Sequence, residues 1–392
     1  MKRNPWRVLA AAAIVAAGVC FVTGVYVAGL SDKSATERDF IQYWAAGQQL
    51  VHGANPYDIA AILRIERAAG LDGNQPKVTF SPPVAFFLFL PLGFVSAKTG
   101  LILWLLALLG CLSLAIWILW ILNGRPDSRY HLLGYAFAPA LCCLMAGQLS
   151  IFLLLGVVLF LYLRVSHPWL AGAALLPCAL KPHLFLPCAI VLLLWVVSRK
   201  AYRLLGGFSA ALLASCALTL CFDIHAWPQY AQMMRTTRVL DVFIPTLSVA
   251  FRFLVNRNAV GLQFIPEAAG CIWAIWYFWT RRNRWDWMDQ GLLLLLVSVA
   301  CAPYAFFFDE TILLPAVLVA LYRAAQSGRS LLPLAIIAGA ALIEVLAVVQ
   351  ITSPFYLWTA PAWLAWYLYA TRCTSKVAEG IGGGAARTVV PL

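Results

Sequence analysis

The residues best placed to do chemistry open a short helical pattern: Asp39-Phe40-x-x-Tyr43-Trp44-x-Ala46-Gly47-x-x-Leu50-x-x-Gly53-x-Asn55-Pro56-Tyr57-Asp58. Helical spacing puts Asp39, Tyr43 and Gly47 on one face, with the carboxylate at the N-terminal end. Gly53 and Asn55-Pro56 then close the helix. An acid at that place either stabilises the helix dipole, worth about 0.3–1 kcal/mol, or serves a reaction, and residue type alone leaves both open. A second position is Lys181, followed by Pro182 and His183 in an apolar run broken by prolines 177, 182 and 187. A cation is costly in such surroundings, and an ionisable group there reads as functional. A third is Asp309-Glu310, after Pro303 and Phe306-Phe307-Phe308, where helix capping is an equal reading. No Walker loop, His-Glu-x-x-His, Gly-x-Ser-x-Gly or Asp-x-Asp occurs, which removes the signatures of triphosphate binding, zinc proteolysis, serine hydrolysis and metal-held nucleotide sugars.

The elements that must position these groups belong to a bilayer. The 392 residues are 63% hydrophobic and 11% charged, with a mean hydropathy of +0.83, against about 45–50% and about 25% in soluble chains. At about 20 residues per span the length allows roughly ten to twelve helices, so the expected fold is an all-α polytopic membrane protein with its chemistry in loops or between helices. The eleven cysteines lie mostly in apolar stretches without a Cys-x-x-Cys pair and read as small core residues. Val8–Leu30, behind Lys2, Arg3 and Arg7, is longer than a cleavable signal core of about 7–15 residues and reads as a retained first helix with its N-terminus inside.

The polar stretch that follows, Ser31–Ser81, carries Asp32, Glu37, Asp39, Asp58, Glu66 and Asp72 out of sixteen acids in all. Apolar residues at helical spacing within it (Phe40, Tyr43, Trp44, Leu50; Ile59, Ile62, Leu63) predict packed amphipathic helices at the membrane surface. Basic clusters at Arg199-Lys200 with Arg203, Arg281-Arg282 with Arg284, Arg323 with Arg329, and Arg372 with Lys376 read as cytoplasmic loops, which puts the acid-rich loop outside. The net charge of +12 is mostly this topology rather than a nucleic-acid footprint. Glu344 is the one carboxylate deep in an apolar run. The expected organisation is a single membrane domain over 1–372, with 31–81 as the catalytic loop, and a disordered cytoplasmic tail over 373–392.

The Asp39 segment closely resembles the first extracytoplasmic loop of glycosyltransferase family 87, polytopic enzymes of the type C glycosyltransferase superfamily that use polyprenyl-phosphate sugars. Asp39, Phe40, Tyr43, Trp44, Ala46, Gly47, Gly53, Pro56, Tyr57 and Asp58 carry the pattern. Phe80-Ser81-Pro82-Pro83, Gly147-Gln148, Lys181-Pro182 and Pro245-Thr246-Leu247-Ser248 follow in the family's order. The resemblance implies Asp39 as general base, taking the proton of the acceptor hydroxyl in a single inverting displacement, a role worth about 10²–10⁴-fold. No second, nucleophilic carboxylate is then needed. It implies a polyprenyl-phosphate leaving group, for which Lys181, His183, Arg64 (with Arg67), Arg235 and Arg238 are the cations at hand. Tyr43, Trp44, Asp58, Gln148 and Asp309 are the expected sugar or acceptor contacts. Where the family often carries Ser-Pro and histidine late in the chain, this sequence has Cys301-Ala302-Pro303 and three phenylalanines.

The resemblance thus implies a glycosyltransferase of the cell membrane with both termini cytoplasmic and the active site outside. Its donor is a polyprenyl-phosphate sugar, most simply mannose, and its acceptor a glycolipid or glycan. Membrane lipids are its surroundings, and no nucleic acid, metal or cofactor is called for. The rival reading is a transporter or flippase for lipid-linked sugars. That class favours inverted repeats and deep ionisable groups, whereas no repeat is visible here and the acids gather on one side.

Overall fold

A computed structural model describes residues 32–237, 243–328 and 331–381, and no strand occurs among them. The expected first span Val8–Leu30 and Arg329 lie outside the described residues. The described residues fold as two compact units, one formed by those up to Thr79 together with Leu88–Leu106, the other by Phe80–Phe87 and those from Ala107 on.

The first unit contains α1 (Asp32–Thr36), α2 (Phe40–Val51) and α3 (Ile59–Ala68), followed by the tight turn Leu90–Phe94 and the start of α4 (Ala97–Leu122). The apolar residues that predict α2 are the ones it buries: Phe40, Tyr43, Trp44 and Leu50 are all 7% exposed or less. In α3 only Ile62 of the expected three is fully buried, and Ile59 is exposed. Gly53 ends the α2 segment in the left-handed region (φ 65°), where a side chain would be strained. Asn55 Oδ1 then accepts the Tyr57 N–H at 2.9 Å, and Asp58 Oδ1 accepts the N–H groups of Ala60 and Ala61 at 2.9 and 3.1 Å. The closing half of the motif is therefore a turn and an N-cap, each residue satisfying backbone donors that the break in the helix leaves open.

The face of α2 that carries Tyr43 and Gly47 packs on the 89–95 segment. A Cβ on Gly47 would lie 2.3 Å from the Phe89 carbonyl oxygen, and one on Gly93 would lie 2.2 Å from that of Gly47, so the two backbones touch. Tyr43 stacks on Phe89 with ring centres 4.7 Å apart. The Trp44 indole donates to Val95 O at 2.9 Å, and Gln48 Nε2 donates to Gly93 O at 3.0 Å.

The second unit takes the rest of α4, then α5 (Ala138–Ala146), α6 (Ser150–Leu163), α7 (Pro168–Ala174), α8 (Leu186–Arg199), α9 (Tyr202–Phe222), α10 (Ala226–Thr236), α11 (Leu247–Val255), α12 (Ile265–Arg281), α13 (Leu292–Ala300), α14 (Leu314–Gln326), α15 (Leu332–Gln350) and α16 (Thr359–Ile381). Among the described residues three helices, α4, α9 and α15, are long and apolar enough to cross a bilayer. None of the three has a proline beyond its first turn, where the missing N–H costs nothing. The other apolar runs are cut into shorter helices and 3₁₀ turns at Pro82, Pro83, Pro91, Pro177, Pro182 and Pro187, so only part of the expected set of spans takes the form of single long helices. Side chains such as Leu106, Trp117, Leu213, Leu342, Val345 and Val349 are each half exposed or nearly so, or more, and the lipid chains of a membrane are the surroundings that such an apolar surface fits.

Polar groups inside these helices bind backbone that the prolines and helix ends leave open. Ser215 and Thr219 of α9 donate to Val84 O and Pro83 O at 2.7 and 2.8 Å. The deep carboxylate, Glu344 on α15, accepts the backbone N–H of Ala138 at the start of α5, one of the donors a helix N-terminus leaves without a partner. Helices α7 and α9 meet backbone to backbone, since a Cβ on Gly172 would lie 1.9 Å from Leu204 O. The last helix continues through Ile381, beyond the Arg372 at which the sequence places the end of the membrane domain.

Candidate functional site

Two polar constellations contain the residues singled out above, one in each unit. In the first unit Asp39 occupies the N-cap position of α2, with φ −68° and ψ −17° and no capping hydrogen bond from its side chain. The carboxylate is thus not used on the helix end it heads, in contrast to Asp58. Its charged neighbour is Lys77, whose Nζ lies 3.8 Å from Asp39 Oδ1, both side chains about a third exposed. Lys77 Nζ also donates to Glu37 O at 2.9 Å, and the Lys77 backbone N–H donates to Glu66 Oε2 at 3.0 Å. Glu66 is fully buried, and its Oε1 has no hydrogen-bond partner. Burial pushes the Glu66 carboxyl up from the ordinary 4.5 to about 7, with the Lys77 hydrogen bond and charge opposing the shift.

Tyr43 and Trp44, expected to face a sugar, are 3% and 7% exposed, their rings closed in by Phe89, Trp104 and the Val95 carbonyl. An aromatic needs an open face to stack on a ligand, and here the faces are spent on the unit's own packing, so these two are assigned to holding α2. Asp58 keeps an exposed side chain, but its Oδ1 is committed to the cap of α3. Arg64 is exposed on α3, and Arg67 reaches the turn at Gly73 and Asn74 rather than open solvent.

In the second unit Lys181 sits between the 3₁₀ turns Leu176–Leu180 and Pro182–Leu184, and its Nζ pairs with Asp309 Oδ1 at 2.5 Å. The Asp309 side chain is 2% exposed and that of Lys181 16%. The same Oδ1 accepts from Ser150 Oγ at 2.6 Å, and Oδ2 accepts the Phe306 N–H at 3.0 Å. Asp309 therefore caps the Phe307–Leu313 turn with one oxygen and binds a lysine with the other. The Lys181 ammonium also stands over the Phe308 ring, 4.9 Å from its centre. His183 lies against Tyr304, ring centres 3.8 Å apart. Gln148 is buried beside Gly147, which ends α5 in the left-handed region at φ 70°.

Lys181 stands out in the sequence because an unpaired cation there would be costly, and the structure supplies the pair. Arg235 is exposed in the last turn of α10, and Arg238 lies outside the described residues. Sequence reasoning missed Ser150, Lys77 and Glu66. Ser150 and Asp309 are separated by 159 positions, which no local pattern encodes. Lys77 and Glu66 look like balancing charges of a polar loop until burial marks one of them.

Beside Lys181 the second unit has a half-open apolar cavity of about 340 Å³, lined among others by Phe160, Cys178, Pro182, Phe185, Leu204 and Leu295. Pro182 follows Lys181 directly, so the cation and the cavity share one stretch of chain.

No curated protein and no solved structure matches the chain at a significant level. Residues 80–303 match glycosyltransferase family 87. That span holds Gln148, Lys181, His183 and Arg235, whereas Asp39 and Asp309 lie outside it. It covers more than half of the length and takes in α4, α9, the proline-broken segment and the cavity, and on that ground the chain belongs to glycosyltransferase family 87 and is a membrane glycosyltransferase.

Proposed function

We propose that this glycosyltransferase moves a sugar, mannose in the simplest case, from a polyprenyl-phosphate donor to a glycolipid or glycan acceptor on the extracytoplasmic side of the cell membrane, with both chain termini on the cytoplasmic side. Asp39 is the general base: it takes the proton of the acceptor hydroxyl as that oxygen bonds to C1 of the sugar and the bond from C1 to the phosphate oxygen breaks. The pair of electrons leaves with the polyprenyl phosphate, and the anomeric centre inverts. The observation that carries this reading is the Asp39 carboxylate itself, which heads a helix without capping it and stays about a third exposed. A base must be a group that a substrate can reach.

Lys181 with His183 is the proposed binding group for the phosphate. An ammonium has three N–H donors, so the bond to Asp309 leaves donors for phosphate oxygens. The adjoining apolar cavity offers a prenyl chain the burial that its hydrocarbon requires, about 25 cal/mol for each Å² removed from water. Arg64 and Arg235, both exposed, are secondary phosphate contacts in the same reading, as Gln148 is for the sugar.

The test is transfer from polyprenyl-phosphate-mannose to total membrane lipid in membranes carrying the full chain, with the product identified by mass spectrometry. Wild type is expected to form a new mannosyl product, and Asp39→Asn and Asp39→Ala are expected to form none while reaching the membrane at wild-type levels. Full activity in either variant would sink the assignment of Asp39. A panel of other polyprenyl-phosphate sugars decides the sugar.

A further inference from the structure

Around Asp39 the least explained group is Glu66. Removing a carboxylate from water is among the more costly steps a small unit can take, and this one is 0% exposed with Oε1 left without a hydrogen bond. Its other oxygen does one thing among the described contacts: it accepts the backbone N–H of Lys77 at 3.0 Å. The Lys77 side chain is in turn held at its head by Glu37 O at 2.9 Å, and from there reaches Asp39 at 3.8 Å.

An ion pair on an open surface contributes little because two long side chains must be ordered to make it. Lys77 differs in that its main chain and its ammonium are both already fixed by other groups, so its position near Asp39 carries little further ordering cost. Among the other charged groups of this unit, Lys33 pairs with Asp72 at 2.8 Å, Arg67 binds Asn74, and Arg64 faces solvent, while Arg38 and Lys98 are half-buried.

From this geometry we infer that Lys77 is a positioning residue for the Asp39 carboxylate and that buried Glu66 is the anchor that sets Lys77 in place. The inference rests on the reading of Asp39 as the base. Without the ammonium the carboxylate keeps its chemistry but loses one of the groups that fix its direction, and misplacement of a catalytic group by about 1 Å costs up to about a hundredfold.

The experiment uses the full chain in membranes, with polyprenyl-phosphate-mannose and total membrane lipid as the substrates and Asp39→Asn in parallel. Lys77→Met is expected to lower kcat by about tenfold to a hundredfold with the donor KM within about twofold, and Lys77→Arg, which keeps a cation at that place, is expected to recover most of the rate. Glu66→Ala is expected to lower kcat as Lys77→Met does, and the double variant is expected to lose no more than either single one, because both act through one contact. If Asp39→Asn is inactive and Lys77→Met retains the wild-type rate, or Lys77→Arg is as impaired as Lys77→Met, the inference fails and the base assignment stands. If Asp39→Asn is active, the base assignment fails and the inference falls with it.

Discussion

Asp39 and Asp309 are both carboxylates at the head of a short helical segment, and each has a lysine beside it, yet the two regions treat them in opposite ways. Asp309 is sealed, 2.5 Å from Lys181, with Ser150 and the Phe306 N–H completing its acceptors. Asp39 is about a third exposed, 3.8 Å from Lys77, and makes no cap bond. A sealed carboxylate with donors on both oxygens holds a structure together, and removing its cation strands a buried charge. An accessible carboxylate that does not cap its helix is one a substrate can reach, as the proposed base must be. The difference teaches that exposure and capping separate two carboxylates that residue type and position at a helix start leave alike.

The widest expected gap between the two regions is in rate. Asp39→Asn removes transfer by about 10²–10⁴-fold and leaves thermal unfolding of the detergent-solubilised chain within error of wild type. A large loss of stability in that variant would erase the contrast. Lys181→Met is expected to cost about 3–5 kcal/mol of stability, since it leaves Asp309 charged and buried. The double variant Lys181→Met with Asp309→Asn is expected to regain most of that without regaining transfer, which a melting curve and a rate measured on one preparation would show.

Packing under Asp39 gives the next effect. Gly47→Val places a side chain where the Phe89 carbonyl stands, and a loss of about 1–3 kcal/mol or failure to accumulate in the membrane is expected; normal stability would mean that α2 does not rest on the 89–95 segment. The Glu66 contribution is smaller and depends on pH. Its carboxyl titrates near 7 when folded against an ordinary 4.5, so the folded chain holds the proton more tightly. The stability it lends is complete below about 4.5 and is lost as pH rises to about 7. Glu66→Gln is expected to flatten that part of the curve of melting temperature against pH, and an unchanged slope would assign the titration to another group. Last, Asp58→Ala is expected to cost about 1 kcal/mol through the lost cap, with Asp58→Asn close to wild type in stability and transfer. Loss of transfer in Asp58→Asn would make Asp58 part of the site after all.

How much of this was legible in the sequence depends on how local each feature is. The motif from Asp39 to Asp58 spans one helix, the turn after it and the N-cap of the next, so its spacing already contains the helix face, the left-handed stop at Gly53 and the start of α3. The two carboxylates of that motif look alike as letters, and only the backbone geometry separates Asp58, which caps, from Asp39, which does not. Tyr43 and Trp44 illustrate the opposite failure. Their helical spacing indicates a shared face but not whether that face meets a sugar or Phe89, because the 88–106 segment that covers them lies some forty positions on.

The sequence by itself determined the solvent and the class: composition this apolar fits only a bilayer, the prolines decide where an apolar run breaks, and the motif at Asp39 points to glycosyl transfer. Tertiary structure alone decided the partners. The Lys181–Asp309 pair joins positions 128 apart, the buried Glu66 meets Lys77 across a loop, and Glu344 finds the start of α5. The reason is physical. Hydropathy and backbone stereochemistry act on a residue and its near neighbours, whereas the pairing of buried charges depends on which distant segments the fold brings within about 3 Å, and that distance is written only in three dimensions.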